Sequence, residues 1–269
     1  MTEGKITSIA TSDVAAPAAQ LASKNIIAVA SGKGGVGKTW FSITLCMALS
    51  KLGRKILLFD GDLGMANVDI QLGLMPDKDL GAVVEGKTTL NNAITKYDEG
   101  GFSILAGRSG TGTLGTLSTQ RLNDLRMQLF SVARSYDNVI LDLGAGVDRT
   151  VRQLAGPART TLVVVTDEPT SITDAYAFIK LSVQMNPGTD IRIVVNMASS
   201  LSEGEKTYET IRKACQTFLS YSPRLAGIIR RDPKVRDAIR SQTPILQRYP
   251  STDAALDVEA LATRLHDSL

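Results

Sequence analysis

Histidine and cysteine are almost missing from this chain of 269 residues. The only histidine, His266, lies close to the C-terminus, which excludes serine–histidine and cysteine–histidine catalysis and histidine-rich metal sites. The two cysteines, Cys46 and Cys215, are far apart and form no C-x-x-C pair, which argues against an iron–sulfur cluster, a zinc site or a disulfide framework. No apolar run is long enough to span a membrane. Residues 1–24, rich in Ala, Ser and Thr, have no continuous apolar core. They read as a flexible arm rather than a signal peptide, and the compartment as the cytoplasm. A net charge of +3 is too small to imply nucleic acid binding by itself.

What is present is a hydrophobic fraction of 43%, enough for a sizeable core, and a charged fraction of 21%, ordinary for a globular chain. Strand-like runs at 25–31, 55–60, 101–106, 138–142, 160–166, 191–197 and 225–229 alternate with amphipathic stretches near 39–52, 118–134, 147–155, 171–185, 203–219, 233–241 and 253–266. That alternation predicts an α/β fold: a mostly parallel sheet of seven or eight strands with helices on both faces. Several strands are continuous Val/Ile/Leu runs, as expected of strands covered on both sides. No Pro- or Gly-rich linker interrupts the series, so residues 25–269 read as one domain.

Gly32-Lys33-Gly34-Gly35-Val36-Gly37-Lys38-Thr39 fits the phosphate-cradling pattern G-x-x-x-x-G-K-[ST], between the strand ending at Ser31 and a helix opening at Trp40. Glycines let successive backbone N–H groups face one phosphate chain, and the helix N-terminus adds its dipole. In that arrangement Lys38 reaches the β- and γ-phosphates and Thr39 supplies a hydroxyl to Mg²⁺. Ligands of such sheets bind beyond the carboxyl ends of the strands. Asp60 and Asp62 follow one strand, Asp142 ends another, and Asp167, Glu168, Asn196 and Asp232 follow three more, so all should converge on the loop. Asp142, closing an apolar strand, is the candidate Mg²⁺ residue. Asp60 is a second metal or switch candidate, and Asp62 the candidate for orienting the attacking water. Leu143-Gly144-Ala145-Gly146 reads as a mobile loop that senses the γ-phosphate.

Lys33 is unnecessary in an ordinary phosphate loop. Two lysines five apart cannot both cradle one β-phosphate without repelling each other, so Lys33 is free to serve a second nucleotide across a dimer interface. The octapeptide Gly32–Thr39 resembles the deviant phosphate loop of the MinD/ParA ATPases. The resemblance implies a dimer sandwiching two ATP molecules, with Lys33 reaching the partner's nucleotide. Asp60-Gly61-Asp62-Leu63-Gly64-Met65-Ala66-Asn67-Val68-Asp69 and Asp167–Tyr176 are similar to segments of the FleN/FlhG flagellar-number regulators. Gly227–Asp232 and Val235–Ala238 resemble that group's base loop and following helix, and the likeness covers roughly residues 25 to 265. It implies a slow Mg²⁺-dependent ATPase switch acting through protein partners, located in the cytoplasm and at a cell pole. Asn196, Arg230, Arg231 and Asp232 would border adenine and ribose.

Two features depart from the group. Arg230-Arg231 stands where relatives have a proline before the base-loop acid, and the Asp-Gln-Ala segment with which some members stimulate FlhF is not recognisable in residues 1–24. Seven basic residues between Arg224 and Arg248 offer a docking face for DNA or an acidic partner, as in partition ATPases. The last helix has an apolar stripe at Val258, Leu261, Leu265 and Leu269, but its polar side is acidic. It therefore reads as a core helix, with membrane binding weak or absent.

Overall fold

The computed structural model describes residues 23–62, 64–107 and 118–268, so the arm expected at 1–24 lies almost wholly outside the described residues. Eight strands form one sheet: β1 (Ser23–Ser31), β2 (Ile56–Gly61), β3 (Thr95–Tyr97), β4 (Phe102–Leu105), β5 (Asn138–Ala145), β6 (Ala158–Val165), β7 (Asp190–Ala198) and β8 (Arg224–Arg230). Their order is β3-β4-β2-β5-β1-β6-β7-β8. Every pairing is parallel except β3 with β4.

The seven strands expected from the apolar runs are all present. The eighth, β3, is a three-residue antiparallel edge strand with two exposed residues, too short and polar to stand out. The seven expected helices are also present: α1 (Lys38–Lys51), α5 (Thr119–Ala133), α6 (Arg149–Ala155), α7 (Pro169–Met185), α8 (Leu201–Leu219), α9 (Pro233–Arg240) and α11 (Asp253–Ser268). Four single-turn helices add to what the sequence pattern predicts: α2 (Val68–Leu72), α3 (Leu80–Val84), α4 (Leu90–Ala93) and α10 (Ile245–Arg248).

Apolar side chains pack on both faces of the sheet. Alternate residues of β1 divide between the two cores: Ile27 and Val29 join Phe41, Leu45 and Leu261, while Ile26 and Ala28 join Leu129, Phe178 and Ile211. Helix α1 is buried along most of its length, packed beside α11 on one face of the sheet. The stripe of α11 is core as expected at Val258, Leu261 and Leu265, which are buried, while Leu269 lies outside the described residues. On its acidic side Glu259 pairs with Lys51, and Asp253 and Asp257 pair with Arg230. No helix among the described residues is long and apolar enough to cross a membrane.

Strand β1 lies between β5 and β6, both later in the chain, so a crevice opens beyond its carboxyl end. β5 runs on to Ala145, which pairs with Ser31 after a register shift that gives β5 one extra residue. Leu143–Ala145 is therefore strand, not the mobile loop expected, because Leu143 is drawn into the core and Gly146 N–H donates to Ser31 O.

Candidate functional site

The phosphate loop turns from β1 into α1 in a path that its glycines permit. Gly37 caps α1 with φ 84°, in the left-handed region, and a side chain there would collide with Asn196. A side chain at Gly32 would strike the backbone of Asp174 and Ala175 in α7. Asn196, buried at the end of β7, donates from Nδ2 to Val36 O at 2.8 Å. It thus braces the loop itself, on which the sequence expected it to converge.

Lys38 and Asp142 form an ion pair of 2.9 Å with side chains 8% and 1% exposed, and Ser42 Oγ donates to the same Asp142 oxygen at 3.1 Å. The other oxygen, Oδ2, is buried without a partner. A buried carboxylate oxygen with no donor is costly unless a ligand, a water or an ion's hydration shell meets it. Thr39 is buried next to Lys38. Among the described residues no group of three or more His, Cys, Asp or Glu could hold a metal ion alone. Mg²⁺ needs no such cage: one or two protein oxygens, phosphate oxygens and water suffice. The residues present fit that requirement.

Asp60 is the register partner of Asp142 on the neighbouring strand. Burial, and then the Asp142 charge beside it, push its carboxyl from 3.8 up to about 7. Its oxygens accept backbone N–H groups from Asp62 at 3.3 Å and from Asn67 and Val68, both at 3.1 Å. Those bonds tie Asp60 to the backbone of Asp62, Asn67 and Val68. Asp62 is half-buried on the pocket wall. Its Oδ1 accepts from Gly64 and Met65 N–H, and a side chain at Gly144 would lie 3.5 Å from its carboxyl. The absence of a side chain at Gly144 thus leaves room at Asp62, a use distinct from the mobility read from sequence. Cys46 lies under Asp142, and burial raises its thiol well above the usual range, so it remains a neutral core group.

Lys33 does not point into open solvent. Its Nζ pairs with Glu168 at 2.7 Å and donates to Thr170 Oγ1 at 2.9 Å, at the start of α7. Sequence reasoning brings Glu168 toward the loop but does not pair it with Lys33, and it gives Thr170 no role, although both stand in the Asp167–Tyr176 segment that carries the resemblance. The Glu168 carboxyl is held below its ordinary value by that hydrogen bond and by the Lys33 charge.

The crevice has a volume of about 930 Å³. Asp62, Met65 and Asn67 line one end, the loop from Lys33 to Trp40 lines the floor, and Arg231, Asp232 and Arg236 line the other end. Trp40 is 5% exposed there, its indole Nε1 unpartnered. Of the predicted base contacts, Arg230 also lines the crevice, while its guanidinium pairs with Asp253 and Asp257, both at 2.8 Å. Asp232 uses Oδ1 to cap α9 through Lys234 N at 2.8 Å. The basic face of 224–248 is also largely engaged, Arg224 by Asp190 and Lys234 by Asp237 and the Tyr249 ring, over which Arg248 also lies.

A glycine-rich loop at the sheet's switch point, a buried lysine–aspartate pair beneath it and a second loop lysine define a phosphate-loop nucleotide-binding protein of the two-lysine kind. The chain belongs to the family described as the CobQ/CobB/MinD/ParA nucleotide binding domain, whose model matches residues 27–245. It is 38% identical over 240 residues to the antiactivator FleN of Pseudomonas aeruginosa, covering 89% of this chain and 85% of that one. It is 29% identical over 244 residues to the flagellum site-determining protein YlxH of Helicobacter pylori, covering 90% and 82%. Among solved structures, the cell division ATPase MinD of Pyrococcus furiosus aligns with a TM-score of 0.78 and 25% identity, over 92% of this chain and all, 100%, of that one. The MinD fold of the Aquifex aeolicus MinC:MinD complex aligns with a TM-score of 0.74 at 27% identity, over 90% and 96%. Members of this family are ATPases, and ATP hydrolysis is the activity the fold carries.

Proposed function

We propose that this chain is a slow, Mg²⁺-dependent ATPase that switches between a monomer and an ATP-bridged homodimer, and that it regulates flagellar number or placement through a protein partner in the cytoplasm. The observation that carries this is the pair of loop lysines in two different settings, Lys38 buried on Asp142 and Lys33 on the exposed Glu168. Lys38 sits where it can exchange Asp142 for the β- and γ-phosphates. Mg²⁺, when bound, neutralises phosphate charge, with Thr39 and Asp142 as the residues that would hold it and its water. Asp62 positions the attacking water: its carboxyl lies on the crevice wall, and its hydrogen bonds from Gly64 and Met65 N–H both go to Oδ1. Lys33 leaves Glu168 to reach the partner's nucleotide. Loss of the γ-phosphate removes these contacts, and the dimer's preference for ATP over ADP supplies the switching energy.

The flagellar role is supported by the likeness to FleN and YlxH. A partition-type reading keeps one observation in its favour: Arg231, Arg236 and Arg240 are exposed and make no side-chain hydrogen bond or ion pair with a described residue. Light scattering of Asp62→Ala with ATP or ADP, with and without Mg²⁺, tests the switch. A dimer formed only with Mg²⁺ and ATP is expected; a monomer under every condition overturns the reading. DNA retention by that dimer, steeply lost with added salt, would favour the partition reading instead.

A further inference from the structure

The far end of the nucleotide crevice is held by a carboxylate on the last helix. Arg230 closes β8, an edge strand with β7 on one side only. On its open side, Asp257 of α11 takes the place of a neighbouring strand. Asp257 Oδ2 accepts from Arg230 backbone N and from Nε, both at 2.9 Å, while Oδ1 accepts from a terminal guanidinium nitrogen at 2.8 Å. Asp253, one turn earlier, takes the other terminal nitrogen at 2.8 Å. Side-chain exposure is 12% for Asp257 and 30% for Arg230, so the clamp is partly shielded from water and salt.

The residues after Arg230 form the wall of the crevice. Arg231 N donates to Ala198 O at 2.8 Å, Asp232 caps α9, and Arg231, Asp232, Pro233 and Arg236 face the cavity. Apolar packing holds this wall weakly, for α9 buries only Ala238 completely. α11 by contrast has its own anchors in Ala254, Ala255, Val258, Leu261, Ala262 and Leu265. Val235 and Ile239 of α9 are only partly buried against the core, so the polar clamp adds the rigidity of α11 to a lightly packed wall. The wall lies at the β8 end, whereas Lys38, Asp142 and Asp62 lie toward β5 and β2. A triphosphate on the loop leaves base and ribose for the β8 end.

We propose that Asp257, supported by Asp253, is a positioning residue for the base-and-ribose end of the nucleotide, acting through Arg230 on the Arg231–Arg236 wall. This rests on the ATP reading above. Arg230 is then an anchor. Arg231 and Arg236, whose exposed guanidinium groups have no hydrogen-bond or ion-pair partner among the described residues, are the arginines left to face the ligand.

The test is calorimetric titration of the full-length chain with Mg²⁺–ATP and with Mg²⁺–tripolyphosphate, which has the phosphates without base or ribose. Asp257→Ala should weaken ATP about tenfold while leaving tripolyphosphate within about twofold. A merely structural ion pair would shift both ligands together or neither, and either result overturns the proposal. If Asp257→Ala does not fold, Arg230→Met breaks the same clamp from the other side and must show the same ATP-selective loss. A wild-type chain that binds ATP no more tightly than tripolyphosphate refutes the positioning role alone. One that binds neither refutes the nucleotide reading and the proposal with it.

Discussion

The two lysines of one loop sit in opposite surroundings. Lys38 and Asp142 are 8% and 1% exposed, whereas Lys33 and Glu168 are 38% and 61% exposed. A buried pair is expensive to break from one side, because the surviving charge is left without water. An exposed pair gives little and is readily traded. Lys38 therefore belongs to a framework that waits for phosphate to replace Asp142, and Lys33 to a contact that opens at small cost. The same contrast divides the crevice, with charges buried at the β2–β5 end and an exposed, clamped wall at the β8 end.

Breaking the buried pair should have the largest effect. Lys38→Ala is expected to abolish measurable ATP binding and to destabilise the chain by about 3 kcal/mol, the order found when one partner of a buried pair is removed. Calorimetry and urea denaturation measure the two losses, and near-native ATP affinity would contradict the assignment of Lys38. Asp62→Ala leaves the framework intact, so ATP affinity and ATP-dependent dimerisation should persist. Turnover should fall by about a hundredfold. Phosphate release at saturating ATP measures this, and unaltered turnover would remove Asp62 from the hydrolytic step.

The framework is legible in the sequence because it is written in local patterns. The octapeptide Gly32–Thr39 lies within one strand–turn–helix unit, and Asp142 ends an apolar run that can only be a buried strand. The partners of Lys33 are hidden by distance, since Glu168 is 135 residues away and only the adjacency of β1 and β6 brings it near. The pairing of Arg230 with Asp257 escapes for the same reason: Arg230 and Arg231 both suggest ligand contacts, and the α11 carboxylates hold the first of them. Leu143–Ala145 is misleading because glycine suggests a loop, while its pairing with β1 and β2 keeps it in the sheet. The short helices α2 to α4 and α10 carry too few residues for a periodicity to show.

Asp60 sharpens the comparison from within the buried end. With its folded pKa raised from 3.8 to about 7, the stability it contributes is fully present below about pH 4 and is lost as pH rises toward 7. The size is on the order of 4 kcal/mol, since each tenfold change in proton affinity is worth about 1.4 kcal/mol. Asp60→Asn cannot titrate and should flatten that slope. Denaturation of nucleotide-free protein in EDTA across pH 4–8 measures the difference. Parallel curves for the two proteins would show that Asp60 is not strained by its neighbour.

The exposed pair gives the smallest effect and the most pointed test. Glu168→Gln removes the charge that holds Lys33 but keeps an oxygen that can still accept a hydrogen bond, so the local fold should be retained. Because the pair is open to water, the midpoint of thermal unfolding should hardly move. If Lys33 must leave Glu168 before it can reach a second nucleotide, the tether is a toll on dimerisation. Weakening it raises the fraction of chains ready to pair. The ATP concentration that gives half-maximal dimer, measured in an Asp62→Ala background to suppress hydrolysis, should fall severalfold. Lys33→Ala in the same background should fail to dimerise while still binding ATP, since Lys38 and the loop are untouched. A half-maximal concentration that rises with Glu168→Gln would reverse the argument, making Glu168 a contributor to the dimer rather than a restraint on Lys33.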